Sequence, residues 1–193
     1  MPADQQTEIT TFVAADDEWW TPQWIIEAAR ATLGRIDLDP ASTFDANKRT
    51  NAVIFYTRED NGLEKKWYGT VFLNPPSKRG DPTCHPHLWA KKLIREYDGG
   101  HVSRAILVVK SVLGYKWYEE LYQRFWVCHL RERPAFVRPD GTTVGMAKKG
   151  VSVFYLGDVE HRIKFVYHFG NHGKIVSPLG AAGGLLFSES GKL

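Results

Sequence analysis

The chain has 193 residues, 43% hydrophobic and 24% charged, which excludes a disordered, collagenous or coiled-coil protein and fits one domain of ordinary size. No apolar run reaches the roughly 20 residues of a membrane-spanning helix, MPADQQTEIT lacks the regions of a secretory signal, and two cysteines give no disulfide framework, so a cytoplasmic protein without membrane partners is expected. The net charge of +3 is compatible with a polyanionic partner but does not by itself require one.

In chain order, residues 1–16 read as a loose arm, residues 17–169 as the folded domain and residues 170–193, rich in Gly, Ser and Ala, as a weakly ordered tail. Thr21 followed by Pro22 predicts a helix start, and the apolar Trp24, Ile25, Ala28, Ala29 and Leu33 predict a helix that ends at Gly34. RIDLD is expected to be a strand stopped by Pro40, AVIFYT a second, EDNGLEKKW a turn and short helix, and GTVFLN a buried strand. A breaker-rich loop, SKRGDPTCHPH, then leads to a helix over LWAKKLIREYDGG. RAILVVK predicts a strand covered on both faces, LGYKWYEELYQRF a helix, WVCHL a strand, PAFVRPDGTT a hairpin turning at Pro139, Asp140 and Gly141, and GVSVFYLG a final strand. The alternation of strands and helices predicts an α/β fold with a mixed sheet and an antiparallel C-terminal hairpin.

Ligands in open α/β sheets bind beyond the carboxyl ends of strands, and two unusual turns are expected there, DLDPAS and LNPPS. Asn74 carries a carboxamide, and Pro75 a backbone carbonyl without a competing N–H. Two such acceptors suit the two hydrogens of an exocyclic amino group and strengthen as its nitrogen becomes pyramidal. Asn-Pro-Pro is also an ordinary loop sequence, and Asp37 and Asp39 read equally well as a solvated turn or as holders of a cofactor's ammonium or hydroxyl groups.

DEWWTP at 17–22, IDLDPAS at 36–42, Asn47, the DNGL and Trp of 60–67 and VFLNPP at 71–76 resemble the phage-type DNA N6-adenine methyltransferases, the phage Dam family. The similarity continues through RAILVVK, RERPAFVRPDG and AKKGVSVFYLG, and so covers residues 17–157. The resemblance implies a Rossmann-like methyltransferase fold, S-adenosylmethionine as cofactor and adenine N6 in DNA as acceptor. It further implies that Thr21, Pro22, Asp37, Asp39, Pro40, Ala41, Ser42 and Asn47 line the cofactor site, and that Asn74, Pro75, Pro76 and Ser77 form the catalytic loop.

Ser77 departs from the family, where the fourth residue of that motif is usually an aromatic that stacks on the extruded base. Another ring must then serve, and Trp19, Trp20 and Trp89 are the candidates. Lys78, Arg79, Arg133 and Lys148 are expected to contact DNA phosphates, whereas Lys91, Lys92 and Arg95 read equally as a solvated helix face. Cys84, His85 and His87, with Cys128 and His129, lack the spacing of a zinc site, so no metal is expected. A monomer or weak dimer is expected. Transfer to cytosine N4, an RNA base or a glutamine amide stays open at this level, as does a nucleic-acid-binding protein without catalysis.

Overall fold

The apolar spacing from Ile25 to Leu33 produces the first helix, α1 (Gln23–Leu33), preceded by Pro22 at φ −53° and closed by Gly34 at φ 86°. The structure, a computed structural model, describes residues 19–77, 81–143 and 149–178. Then follow β1 (Leu38–Asp39), α2 (Phe44–Thr50), β2 (Ile54–Phe55), β3 (Gly69–Leu73), a 3-10 turn (Pro82–Cys84), α3 (Pro86–Asp98) and β4 (Val102–Lys110). The chain continues through α4 (Lys116–Arg124), β5 (Trp126–Leu130), β6 (Val151–Leu156), α5 (Val159–Phe169) and β7 (Gly173–Val176).

The strands form one seven-stranded sheet in the order β2-β1-β3-β4-β6-β5-β7. The first four in that order are parallel, β6 is antiparallel to β4 and β5, and β7 is antiparallel to β5. The expected α/β class, mixed sheet and antiparallel C-terminal pairing are therefore present. Strand alternation divides the core between two faces. Val71, Leu73, Leu107 and Val109 pack with Leu93, Tyr118 and Leu121 on the face of α3 and α4. Phe72, Ile106 and Val108 pack with Ile25, Ala29, Phe165 and Phe169 on the face of α1 and α5. Burial on both faces is why RAILVVK is an unbroken apolar run.

Several expectations need correction. EDNGLEKKW forms turns and no helix, with Asn61 at φ 52°. The RIDLD and AVIFYT strands are reduced to two ladder residues each. The weakly ordered tail expected from residue 170 instead contributes β7, whose Gly173–Val176 pairs with Leu130–Val127. The arm at 1–16 and the stretch from 179 to 193 lie outside the described residues.

Two features of this topology position a site. β1 is followed by β2 on one side of the sheet and β3 by β4 on the other, so the carboxyl ends of β1 and β3 flank a switch point, the place where open α/β sheets form a ligand crevice. The β1 turn is also held from below. Trp67 Nε1 donates to the Gly62 carbonyl at 2.8 Å, and a Cβ on Gly62 would lie 2.0 Å from the Pro40 carbonyl oxygen and 3.2 Å from the Trp89 ring. Gly62→Ala must displace backbone, and is expected to destabilise the fold by about 1–3 kcal/mol. A thermal melt of the variant checks this, and an unchanged midpoint would show that the 58–67 loop does not brace the turn.

Candidate active site

Val71, Phe72 and Leu73 carry β3 through the core, and Asn74 is the first residue past its carboxyl end. Its Nδ2 donates to Thr21 Oγ1 at 3.1 Å. The helix start predicted at Thr21 and Pro22 is present, but α1 has no side-chain cap and the Thr21 hydroxyl serves Asn74 instead. With Nδ2 taken up by Thr21, the Oδ1 acceptor has no donor among the described residues. The carbonyl of Pro75, itself buried, likewise receives no N–H from the described residues. Pro76 is half-buried and Ser77 exposed beyond these two residues.

Thr21 and Pro22 are both buried. They are delivered to this edge by two contacts. Trp20 N donates to Val137 O at 2.7 Å and Val137 N to Trp20 O at 3.0 Å, so the entering chain pairs with the hairpin expected at 134–143. That hairpin turns where expected, with Asp140 Oδ1 accepting from Thr142 N at 2.8 Å and Gly141 at φ 82°. From the other side Arg49 of α2 donates to Thr21 O at 3.4 Å.

On the β1 side, Leu38 is in register with Val71, which puts Asp39 one strand over from Asn74 and roughly 7 Å lower along the strands. Asp39 is 4% exposed. It receives the Ala41 N–H at 3.3 Å, and the Ser42 and Thr50 hydroxyls lie against it. Burial pushes its carboxyl up to about 6 despite these hydrogen bonds. At neutral pH it is thus a buried carboxylate that makes no ion pair with any described residue. Pro40 and Ser42 are buried and Ala41 half-buried, and the turn is tied to β2 by Ser42 N to Tyr56 O at 2.9 Å and Tyr56 N to Asp39 O at 3.0 Å.

Other expected residues do not join this group. Asp37 lies at the amino end of β1, the wrong end of the sheet for the crevice, and accepts from Thr70 N at 2.8 Å and from Arg35. Burial raises its carboxyl, but the Thr70 and Arg35 hydrogen bonds outweigh that and hold it below the usual range. Asn47 belongs to α2, and its amide clamps the backbone of Ala52, donating at 3.3 Å and accepting at 3.0 Å, so it is a scaffold residue. Trp89 is 5% exposed, stacked on Trp67 with ring centroids 6.1 Å apart, and donates Nε1 to Thr83 O at 2.9 Å, which removes it as a DNA contact. Its place on the inner face of α3 is the physical reason.

Trp20 is half-buried, with Arg49 over its ring at 6.0 Å. Lys92 is also structural, paired with Glu96 at 3.0 Å and lying over the Trp67 ring at 5.2 Å. Arg133 is exposed in the loop that leaves the carboxyl end of β5, on the same edge as Asn74. Lys78, Arg79 and Lys148 lie outside the described residues. A residue that the motifs did not bring out is Lys110, whose Nζ donates to Ser77 Oγ at 3.3 Å. Its signal is a lysine ending an apolar strand beside β3.

Both cysteines are buried, Cys84 in the 3-10 turn. Cys128 is buried in β5 with its sulfur 3.4 Å from Phe169 O, and burial pushes its thiol up to about 12. His129 is taken up by Ser152 Oγ at 3.0 Å. Among the described residues no three His, Cys, Asp or Glu side chains converge in a metal-binding arrangement, and no helix is long and apolar enough to cross a membrane.

The model of the family described as DNA N-6-adenine-methyltransferase (Dam) matches residues 8–166. A protein named DNA N-6-adenine-methyltransferase from Escherichia phage T1 is 31% identical over 113 residues, 57% of this chain and 42% of that relative. The chain thus aligns with less than half the length of this relative. No solved structure matches the chain.

Proposed function

This chain belongs to the DNA N-6-adenine-methyltransferase (Dam) family, and from that premise we propose that it transfers a methyl group from S-adenosylmethionine to the N6 amino group of adenine in DNA, on a Rossmann-like methyltransferase fold. The observation that carries this reading is the Asn74 amide, whose Nδ2 donates to Thr21 while its Oδ1, like the adjoining Pro75 carbonyl, receives no donor from the described residues.

An aromatic amine is a weak nucleophile because its lone pair is delocalised into the ring. Asn74 Oδ1 and the Pro75 carbonyl each accept one N6 hydrogen, which favours a pyramidal nitrogen and localises the lone pair on the side facing the donor. Both acceptors belong to the two residues that directly follow β3, and the Asn74 side chain is hydrogen-bonded to Thr21, so little reorganisation is needed as the bond forms. The cofactor would supply an electrophilic methyl on a sulfonium and leave as the neutral thioether when the C–S bond breaks, with the surplus N6 proton released to solvent, so no enzyme nucleophile is required. The residues fit its positive charge, since Asp39 is a buried carboxylate without a cationic partner among the described residues, at the switch point where such ligands sit. Ala41 and Ser42 are small enough for backbone to approach a ligand closely. Arg133, together with Lys78, Arg79 and Lys148 by their sequence positions, would meet the phosphates.

The test is mass spectrometry of nucleosides from unmethylated single- and double-stranded DNA after incubation with the protein and labelled S-adenosylmethionine. Labelled N6-methyladenine is expected. Label in N4-methylcytosine would overturn the adenine assignment, and cofactor binding without label in any DNA nucleoside would overturn DNA as the acceptor.

A further inference from the structure

We propose that the ring surface that holds the target base is supplied by Tyr115 and Trp117, at the start of α4, in place of the aromatic absent at position 77. The inference rests on the methyl-transfer reading above and names the base subsite of that same site. A cavity of about 310 Å³ begins at Ser77, three residues past Asn74, and extends between the start of α3 and the start of α4. Lys110, at the carboxyl end of β4, shares its rim and donates to Ser77 Oγ, so the cavity and the catalytic loop have a common wall. Its volume is at the small end of ligand pockets, roughly 300–1,000 Å³, as expected for one heterocycle.

The lining suits a flat, uncharged, partly polar group. Tyr115 and Trp117 present rings and Val112 an apolar side chain, while burial, with His85 and Lys91 nearby, lowers the His87 pKa and keeps that imidazole neutral. The two rings differ in how they are held. Trp117 is half-buried, packed against the core and edge-to-face with Tyr118 at 5.7 Å, so its position is fixed. Tyr115 is 60% exposed and has no ring partner among the described residues. It stands just before α4, at a backbone position set by its carbonyl accepting from Tyr118 N at 2.9 Å.

An extruded base loses a few kcal/mol of stacking and pairing, which a ring face in the pocket must offset. Ser77 cannot do this, Trp89 is buried in the core, and the Trp20 and Trp19 rings are each covered by a guanidinium, Arg49 at 6.0 Å and Arg138 at 5.4 Å. Tyr115 and Trp117 supply the large rings of the cavity that adjoins the catalytic loop. Their place after β4 also explains why the NPP motif alone gave no hint of them, because the stacking group has moved to a different strand end.

The experiment compares wild type, Tyr115→Ala, Tyr115→Phe and Tyr115→Ala/Trp117→Leu on DNA that the wild type methylates. Steady-state kinetics, calorimetric cofactor binding and thermal melts are measured for each. Base–aromatic stacking predicts a fall in kcat/KM for DNA of roughly 5- to 100-fold in Tyr115→Ala and a larger one in the double variant. Tyr115→Phe should stay within about twofold, and cofactor affinity and melting of Tyr115→Ala should be unchanged. A second readout is 2-aminopurine at the target adenine, whose fluorescence should rise in complexes of Tyr115→Ala relative to wild type as the stacking ring is lost. Wild-type kcat/KM in both Ala-containing variants would overturn the inference and leave the methylation reading standing. Equal loss in Tyr115→Phe would also overturn it, since the hydroxyl and not the ring would be responsible. A wild-type protein that transfers no methyl to DNA would instead defeat the underlying reading.

Discussion

Asn74→Ala is expected to lower kcat for adenine methylation by at least roughly 10²–10³-fold, the range found when one preorganised hydrogen-bonding group is removed from a developing charge. Affinity for S-adenosylmethionine should change by no more than a few-fold, because Asn74 lies past β3 and the buried carboxylate that fits the cofactor is the last residue of β1, the neighbouring strand. The mechanism makes a second demand. A carboxamide can turn either end outward, and only the oxygen can accept an N6 hydrogen; in the structure Nδ2 donates to Thr21 Oγ1, which leaves Oδ1 for the amine. Thr21→Val removes that acceptor while keeping the shape, and should lower kcat about 10-fold, on the scale of one buried hydrogen bond. Thr21→Ser should recover most of the loss. Rapid-quench measurement of the transfer step distinguishes this from a cofactor role for Thr21, which would appear as weaker S-adenosylmethionine binding with an unchanged transfer rate. Full activity in Asn74→Ala would remove the basis of the proposed mechanism.

How far the residues revealed this arrangement depends on whether strand chemistry or helix packing decided the outcome. GTVFLN-PP is a buried strand followed by residues that cannot continue it, so Asn74 at a carboxyl end is legible from pattern alone. IDLDP is legible in the same way, but only in part. Period-two alternation puts Asp37 and Asp39 on the same side of the strand, and the pattern does not tell which of them reaches the crevice. The strand direction decides it, leaving Asp37 at the amino end with Thr70 and Arg35. Trp89 and Asn47 were hidden for a different reason. Trp89 reads as an exposed ring only if α3 turns its basic face inward, whereas Ala90, Leu93 and Ile94 pull that side of the helix onto the sheet. Asn47 lies in a short helix of mostly polar residues, where no apolar period marks the element. In α5 the spacing is misleading, since Val159, Ile163 and Tyr167 recur at helical spacing yet are exposed, and Phe165 and Phe169 make the core contact. β7 is short and half-buried, and lies among glycines and polar residues that carry no strand signal.

Asp39→Asn is expected to have opposite effects on stability and on binding, and that opposition marks a carboxylate kept for a ligand. In the folded protein burial raises this carboxyl from 3.8 to about 6, so between those values the native state holds a proton that the unfolded chain has released. Native stability without ligand therefore falls as pH rises from about 4 to about 6, and above that the ionised form carries a penalty on the order of 2–3 kcal/mol. The neutral amide removes most of this penalty, so the variant should melt higher than wild type at pH 7–8 and show no such dependence between pH 4 and 6. Binding should move the other way. A buried carboxylate facing a cationic ligand makes a charge-assisted hydrogen bond, and its loss should weaken S-adenosylmethionine binding roughly 10- to 100-fold. Wild-type affinity should also fall about tenfold per pH unit below about 6, as Asp39 takes up its proton, while the variant's affinity stays flat there. Calorimetry across pH 5–8 with parallel melts reads both effects. A variant that is less stable and binds the cofactor as wild type does would instead mark Asp39 as a cap of its own turn, with its hydrogen bonds to Ala41, Ser42 and Thr50 as its whole purpose.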